Sequence, residues 1–357
     1  MRTAIIGLPM AGKTTLFTIL TGVHEAHRLG ALETRIGVTM VPDPRLDALA
    51  KVFAPEKVTP ATLEYIDFPA ISKEALQNPS YLASLRVAEA LAHVVRVFAD
   101  DTVPHEKGSV EPVRDLDYVE AELIISDLMV VEKRLERVDK DRKKMKNPEL
   151  DREFELLQRA KTLLEDGKPL RNLELAGEDE KRMRGFQFLS QKPMLYVLNL
   201  GEEAAPRLHD IEADYRNGPL VARPHTGVTA ICGKIEAELA ELSGEEAGEY
   251  MASYGLKESA LERLIRSTYS LLGLMSFLTV SETEVRAWTM PAHSPALKAA
   301  GAIHTDFEKK FIRAEVVNWQ ALVEHNGYAG VREKGLLRLE GKEYIVRDGD
   351  VLVIRHG

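Results

Sequence analysis

A single cysteine, Cys232, in 357 residues excludes any internal disulfide and fits a reducing compartment. No run of about 18 apolar residues occurs, so no segment is suited to cross a bilayer as a helix. The opening residues are Met-Arg-Thr, a short apolar run and a glycine. They lack the long apolar region and cleavage site of a secretory leader, so a cytoplasmic location is expected. Positive charge is also in deficit. Forty-seven Lys and Arg against 56 Asp and Glu give a net charge of −9, which argues against a surface coated for nucleic acid and still permits a local basic patch. Repeats and low-complexity segments are missing as well. What is present is 45% hydrophobic and 29% charged, a globular composition long enough for two or three domains.

The first part of the chain alternates strand-like and helical patterns. Residues 3–6 form a short apolar run ending at Gly7, and 13–20 continue as a helix. Residues 62–66 read as a strand ending at Asp67, and 93–98 as another, preceded by a helix over 81–91. Residues 193–198 are an apolar strand ending at Asn199, and 228–232 one more. Apolar strands separated by helices predict an α/β fold with a mostly parallel sheet covered on both faces.

Residues 118–187 interrupt this alternation. Ile124, Leu128, Val131, Leu135 and Val138 are spaced four, three, four and three apart, as a packed helical seam requires. Leu150, Phe154, Leu157, Ala160 and Leu164 repeat the theme. Asn147-Pro148 is a turn signal between them. The pattern predicts an inserted antiparallel helical hairpin; two surface helices of the main domain are the alternative. The last 80 residues change character again. Strands are expected over 284–289 and 343–355, with Asp348-Gly349-Asp350 as a tight turn between the halves 344–346 and 351–354. A helix over 260–274 joins this α+β module to the rest.

Gly7-Leu8-Pro9-Met10-Ala11-Gly12-Lys13-Thr14 has the form G-x-x-x-x-G-K-[ST] between a strand and a helix. Gly7 lets the chain leave the strand sharply, and Gly12 lets main-chain N–H groups approach phosphate oxygens. The candidate phosphate contacts are Pro9, Met10, Ala11, Gly12, Lys13, Thr14 and Thr15. Lys13 is placed to reach the β- and γ-phosphates and is the first catalytic candidate. Thr14 is placed for Mg²⁺, with strand-ending Asp67 as the second metal residue. Asn199-Leu200-Gly201-Glu202 stands where GTPases carry Asn-Lys-x-Asp. Glutamate in place of aspartate displaces the carboxylate that pairs with guanine, whereas the Asn199 amide can still donate to and accept from a purine edge. Cys232 and Gly233 follow the next strand, where a backbone loop meets the base; Cys232 is either a nucleotide contact or a small buried residue.

These motifs in this order resemble the YchF subfamily of Obg-like P-loop ATPases. The resemblance extends through residues 41–47, 284–289, 303–315 and 341–350. It implies a Ras-like ATPase domain (1–117 and 188–275), a helical coiled-coil insert (118–187) and a C-terminal TGS domain of β-grasp fold (276–357). It further implies ATP or ADP with Mg²⁺ as ligands, ATP preference, and association with ribosomes or translation factors. Several positions depart from the family pattern. Met10 replaces an asparagine, and a thioether is a poor ligand for a hard monovalent cation, so no potassium-assisted hydrolysis is expected. Ala31 falls where the family has a Mg²⁺-contacting threonine, with Thr34 and Thr39 nearby but not matching. Ala70 replaces the glycine of Asp-x-x-Gly, and residues 71–77 replace a glycine-rich run. His105 falls where the resemblance implies a histidine assisting hydrolysis.

Lys140, Arg142, Lys143, Lys144 and Lys146 cluster at the expected hairpin tip. They are a candidate contact for ribosomal RNA phosphates, or a solvated helix end. No base-reading signature accompanies them. His304, Asp306, Glu308 and Glu315 lack metal-ligand spacing and are expected to make loop contacts. Two functions follow: a slow ATPase regulating ribosome or translation-factor interactions, and a nucleotide-binding scaffold with little hydrolysis. A monomer with no membrane association is expected.

Overall fold

The computed structural model describes residues 1–23, 34–218, 220 and 223–357. Its strands, among the described residues, are β1 (Arg2–Ile6), β2 (Arg35–Met40), β3 (Lys57–Thr59), β4 (Thr62–Asp67), β5 (Ala90–Arg96), β6 (Met194–Asn199), β7 (Thr226–Ile231), β8 (Leu274–Val280), β9 (Glu284–Pro291), β10 (Phe311–Asn318), β11 (Arg338–Glu340) and β12 (Asp350–His356). They form two six-stranded sheets in two compact units, Met1–Val38 with Glu64–Leu271, and Thr39–Leu63 with Leu272–Gly357.

The first sheet runs β2-β4-β1-β5-β6-β7, and β1 pairs in parallel with both β4 and β5, β5 with β6, and β6 with β7. Every residue of β5 and β6 is buried, as expected of strands covered on both faces. The α/β class and parallel sheet read from the sequence are present. The helix expected over 81–91 is shorter. It spans Pro79–Arg86, and β5 already begins at Ala90. The carbonyls of Arg86 and Ala88 both turn to Lys192 Nζ, at 2.8 and 2.5 Å, which fixes the bend between helix and strand.

The inserted hairpin consists of helices Pro112–Lys144 and Pro148–Glu165. Asn147 Oδ1 accepts from Glu149 N at 2.9 Å, and Pro148 opens the second helix without needing a donor. Ile124, Val131 and Val138 are buried against Leu157, Ala160 and Leu164, with Leu128, Leu135, Leu150 and Phe154 packed beside them. This is the seam expected from the spacing. The hairpin belongs to the same compact unit as the first sheet. Asp127 anchors its base: its carboxylate accepts from Leu189 N (2.9 Å), Ser190 N (2.7 Å) and Ser190 Oγ (2.7 Å). Glu120 joins the same helix to the sheet by accepting from Tyr196 Oη (2.9 Å) and Arg171 Nη1 (2.7 Å).

The second sheet runs β11-β10-β12-β8-β9-β3. The hairpin β8-β9, the helix Ala296–Ile303 and a parallel β8-β12 pairing give the β-grasp arrangement. Its core includes Phe277, Met290, Ala296, Ala299, Val316 and Leu352. Residues 39–63, expected in the first domain, belong to this unit instead. Here β3 pairs in parallel with β9, and Arg45 Nη1 reaches Asp348 Oδ2 at 2.8 Å. Residues 344–346 do not pair with 351–354 as expected. Ile345 bridges to Pro295 instead, because β12 already carries β10 on one edge and β8 on the other. The Gly349 turn itself is present, with φ 83°. His304 Nδ1 accepts from Asp306 N at the start of helix Thr305–Lys309, and Glu315 pairs with Arg355. Among the described residues no helix is long and apolar enough to cross a membrane.

Asp127→Ala leaves two buried N–H groups without an acceptor and is expected to cost roughly 2–4 kcal/mol in urea unfolding. Burial raises the Asp127 carboxyl to about 6 against the opposing hydrogen bonds of Ser190 and Leu189. With its folded value above the unfolded one, its contribution to stability is complete at low pH and is lost as pH rises through about 6. The stability difference between wild type and Asp127→Asn, followed by unfolding from pH 4 to 7, should therefore change most between pH 4 and 6.

Candidate nucleotide site

The carboxyl ends of β1, β4, β6 and β7 bring the sequence motifs to one edge of the parallel sheet, the usual ligand-binding edge of such sheets. The loop after β1 turns through positive φ at Gly7 (144°), Met10 (58°) and Gly12 (96°) before helix Lys13–Thr21 begins. A side chain at Gly7 would strike the Val94 carbonyl oxygen, and one at Gly12 the Asn199 amide nitrogen. Left-handed residues in such a loop point successive amides to one side and form an anion cradle at a helix N-terminus. Pro9, Met10, Ala11, Thr14 and Thr15 lie in or directly beside it, with Met10 exposed and Ala11 buried.

Lys13 is buried, and its Nζ donates to Leu8 O at 2.7 Å. Burial lowers its ammonium to about 8, although Asp67 and Glu106 pull the other way. The cation is therefore held within the loop at a cost in hydration that an anionic ligand would relieve. Behind it, burial and the nearby charges of Lys13 and Arg223 push His93 down to about 3, so this imidazole remains neutral.

Thr14 Oγ1 donates to Asp67 Oδ2 at 3.1 Å. Asp67 is buried at the end of β4, and its Oδ1 has no hydrogen-bond partner among the described residues. A hydroxyl beside a buried carboxylate with one uncommitted oxygen is a hard-oxygen donor set suited to Mg²⁺. The residues present fit that ion. Arg35, at the start of β2, also bonds Asp67 Oδ2 and lies 5.1 Å from the Phe17 ring centroid. Ala31 lies outside the described residues. In the second switch, Ile71 N donates to Gly7 O at 3.1 Å, and Ser72 caps a short helix over Lys73–Gln77.

Asn199 is committed at both ends of its amide. Nδ2 donates to Ala11 O and Oδ1 accepts from Gly233 N, each at 3.0 Å. The expected reader of a purine edge thus braces the phosphate loop against the loop after β7. Leu200 is buried beside it. Glu202 is paired with Lys234 at 2.5 Å. Cys232 is buried, with Sγ 3.4 Å from Gly201 O, and burial aided by Glu236, Glu203 and Glu202 pushes its thiol up to about 12. It remains a protonated thiol.

His105 is enclosed. Its Nδ1 accepts from Lys107 N at 3.1 Å, so Nε2 carries the proton and donates to Asp115 Oδ2 at 2.9 Å. Arg114 donates to the other Asp115 oxygen at 2.8 Å. The catalytic candidate is therefore fully bonded within its own loop. That loop is shaped by buried Arg96, which donates to the carbonyls of Phe98, Asp100 and Val103. Sequence reasoning missed Arg35, Lys234 and Arg96, because their partners are fixed only by the fold.

The C-terminal residues 274–357 match the family model YchF-GTPase_C, described as "Protein of unknown function (DUF933)". A protein of Bacillus subtilis (strain 168) described as "Ribosome-binding ATPase YchF" is 40% identical over 360 residues, 98% of each chain. The chain belongs to the YchF family. An Escherichia coli O157:H7 YchF of the same description is 39% identical, over 98% of this chain and 97% of that one. The solved Schizosaccharomyces pombe YchF GTPase is 27% identical with a TM-score of 0.84, covering 99% of this chain and 97% of the other. In the phosphate loop of this YchF chain, Met10 is held in the left-handed region, φ 58°, that asparagine enters more readily.

Met10→Asn should relieve that strain and raise the unfolding free energy of the ligand-free protein by up to about 1 kcal/mol, read as a higher urea midpoint at unchanged slope.

Proposed function

We propose that this chain binds ATP with Mg²⁺, hydrolyses it slowly, and couples the bound nucleotide to association with the ribosome. The observation that carries the reading is the anion cradle of Gly7–Thr14 beside a buried Asp67 with one oxygen unpartnered among the described residues. In this reading Lys13 leaves the Leu8 carbonyl for the β- and γ-phosphates. Thr14 and Asp67 hold Mg²⁺, which neutralises phosphate charge when bound. Asn199 keeps the cradle in register. Hydrolysis by water then rests on positioning and electrostatic stabilisation.

The preference for adenine is supported by the Glu202–Lys234 pair. A guanine edge presents two donors that need a carboxylate, and here an ammonium already occupies it. The relatives' descriptions as ribosome-binding ATPases agree, whereas the fission-yeast structure is titled a GTPase. At the hairpin tip, Arg142 is tied to Asp151 and Lys143 to Asp139. Lys140, Lys144 and Lys146 are exposed and form no ion pair among the described residues, so these three are the proposed contacts to ribosomal RNA phosphate. The enclosure of His105 favours a second reading, a nucleotide-binding scaffold with little turnover. Under the first reading, His105 acts only after its bond to Asp115 opens.

Calorimetry should give ATP binding in Mg²⁺ buffer that Lys13→Ala weakens at least tenfold. Single-turnover phosphate release that is equally slow in wild type and Lys13→Ala would leave the scaffold reading. Lys234→Ala, which frees the Glu202 carboxylate, should narrow the ATP-over-GTP ratio several-fold in competition binding, with ATP affinity little changed. Lys140→Glu/Lys144→Glu should reduce co-sedimentation with ribosomes and make the residual binding less sensitive to salt. Unchanged pelleting across a salt series would remove the tip from the proposal.

A further inference from the structure

The two oxygens of Asp67 have different surroundings. Oδ2 accepts from Thr14 Oγ1 and from the Arg35 guanidinium, whereas Oδ1 is buried without a hydrogen-bond partner among the described residues. The Arg35 side chain is only 15% exposed and Asp67 only 8%, so this is a sheltered ion pair and not a surface one. The Phe17 ring offers the guanidinium a second favourable surface. Arginine cannot leave the carboxylate by losing its proton. Its charge must either stay or move bodily.

A divalent cation at Thr14 and Asp67 would stand beside that guanidinium on the same carboxylate. Repulsion between two cations is weakly screened in so enclosed a place. A divalent ion also offers Asp67 a stronger interaction than a monovalent one and makes use of the unpartnered Oδ1. We infer that Arg35 is a cation-competing residue: its guanidinium holds Asp67 in the form described here, and divalent-cation binding with nucleotide displaces it. Arg35 is the first residue of β2, directly after the stretch in which Ala31 lies. The identity of the position matters, because a lysine would retain the charge but lose the planar guanidinium that lies over the Phe17 ring.

The inference rests on the reading of Thr14 and Asp67 as the Mg²⁺ residues, and the two can fail separately. ATP affinity is measured by calorimetry in excess EDTA and in excess Mg²⁺ for wild type, Arg35→Met and Arg35→Lys. Removing the competitor should enlarge the gain in affinity conferred by Mg²⁺ about tenfold in Arg35→Met, with Arg35→Lys closer to wild type. Thermal melting supplies a readout independent of turnover. Arg35→Met should melt below wild type in EDTA, where Asp67 loses its partner, and at the wild-type temperature in saturating Mg²⁺ and ATP. An equal Mg²⁺ gain in wild type and Arg35→Met, or an equal melting deficit in both buffers, would show that the pair persists and would overturn the inference. If Mg²⁺ adds nothing to ATP affinity in wild type or either variant, the metal reading itself falls and the competition with it.

Discussion

One buried amide ties three strand ends together. Asn199 leaves β6 and fastens Ala11, in the loop after β1, to Gly233, in the loop after β7. Gly12 and Gly233 both lack side chains where that amide lies. Without the brace, the phosphate loop would keep its own strand and helix and the Ile71 N–H on the Gly7 carbonyl. Three short loops would then have to find their relative positions independently, at a cost in conformational entropy that a pre-formed cradle avoids. Asn199 is thus a structural precondition for a nucleotide site before it is a contact within one.

The charges at this edge of the sheet are internally compensated. Lys13 turns to a carbonyl, Asp67 to Arg35 and Thr14, Glu202 to Lys234, and His105 to Asp115. Each candidate group is therefore already engaged. A ligand must compete with protein partners instead of with water alone. Such a site discriminates by which internal bonds a ligand can replace. In the proposed reading, a polyphosphate would replace the Leu8 carbonyl for Lys13, and a divalent ion would replace a guanidinium for Asp67.

The phosphate loop, the strand-ending Asp67 and the hairpin seam were legible in the sequence because each is a local pattern with a physical cause. A glycine spacing, an apolar run and a heptad-like periodicity all survive without knowledge of the fold. Elements decided by distant residues were not legible. The helix expected to reach residue 91 stops at Arg86 because Lys192 captures two carbonyls there. The strand after Gly349 does not fold back on residues 344–346 because β10 and β8 take its two edges. Arg35 belongs to no motif, Lys234 follows Cys232-Gly233 without disclosing its pairing, and the partner lies 32 residues away in each case. The roles expected for Asn199 and His105 were read from position alone, and position does not disclose that both side chains are already bonded.

The second unit is assembled from two stretches separated by more than two hundred residues of the first. Its edge strand, β3, emerges early in synthesis, but the β9 surface that receives it is made near the end. Until then β3 lacks the strand it pairs with. Cutting the chain at the family-model boundary of residue 274 would therefore not release two autonomous folding pieces: one fragment would carry an orphan strand and helix, and the other a sheet with an uncovered edge.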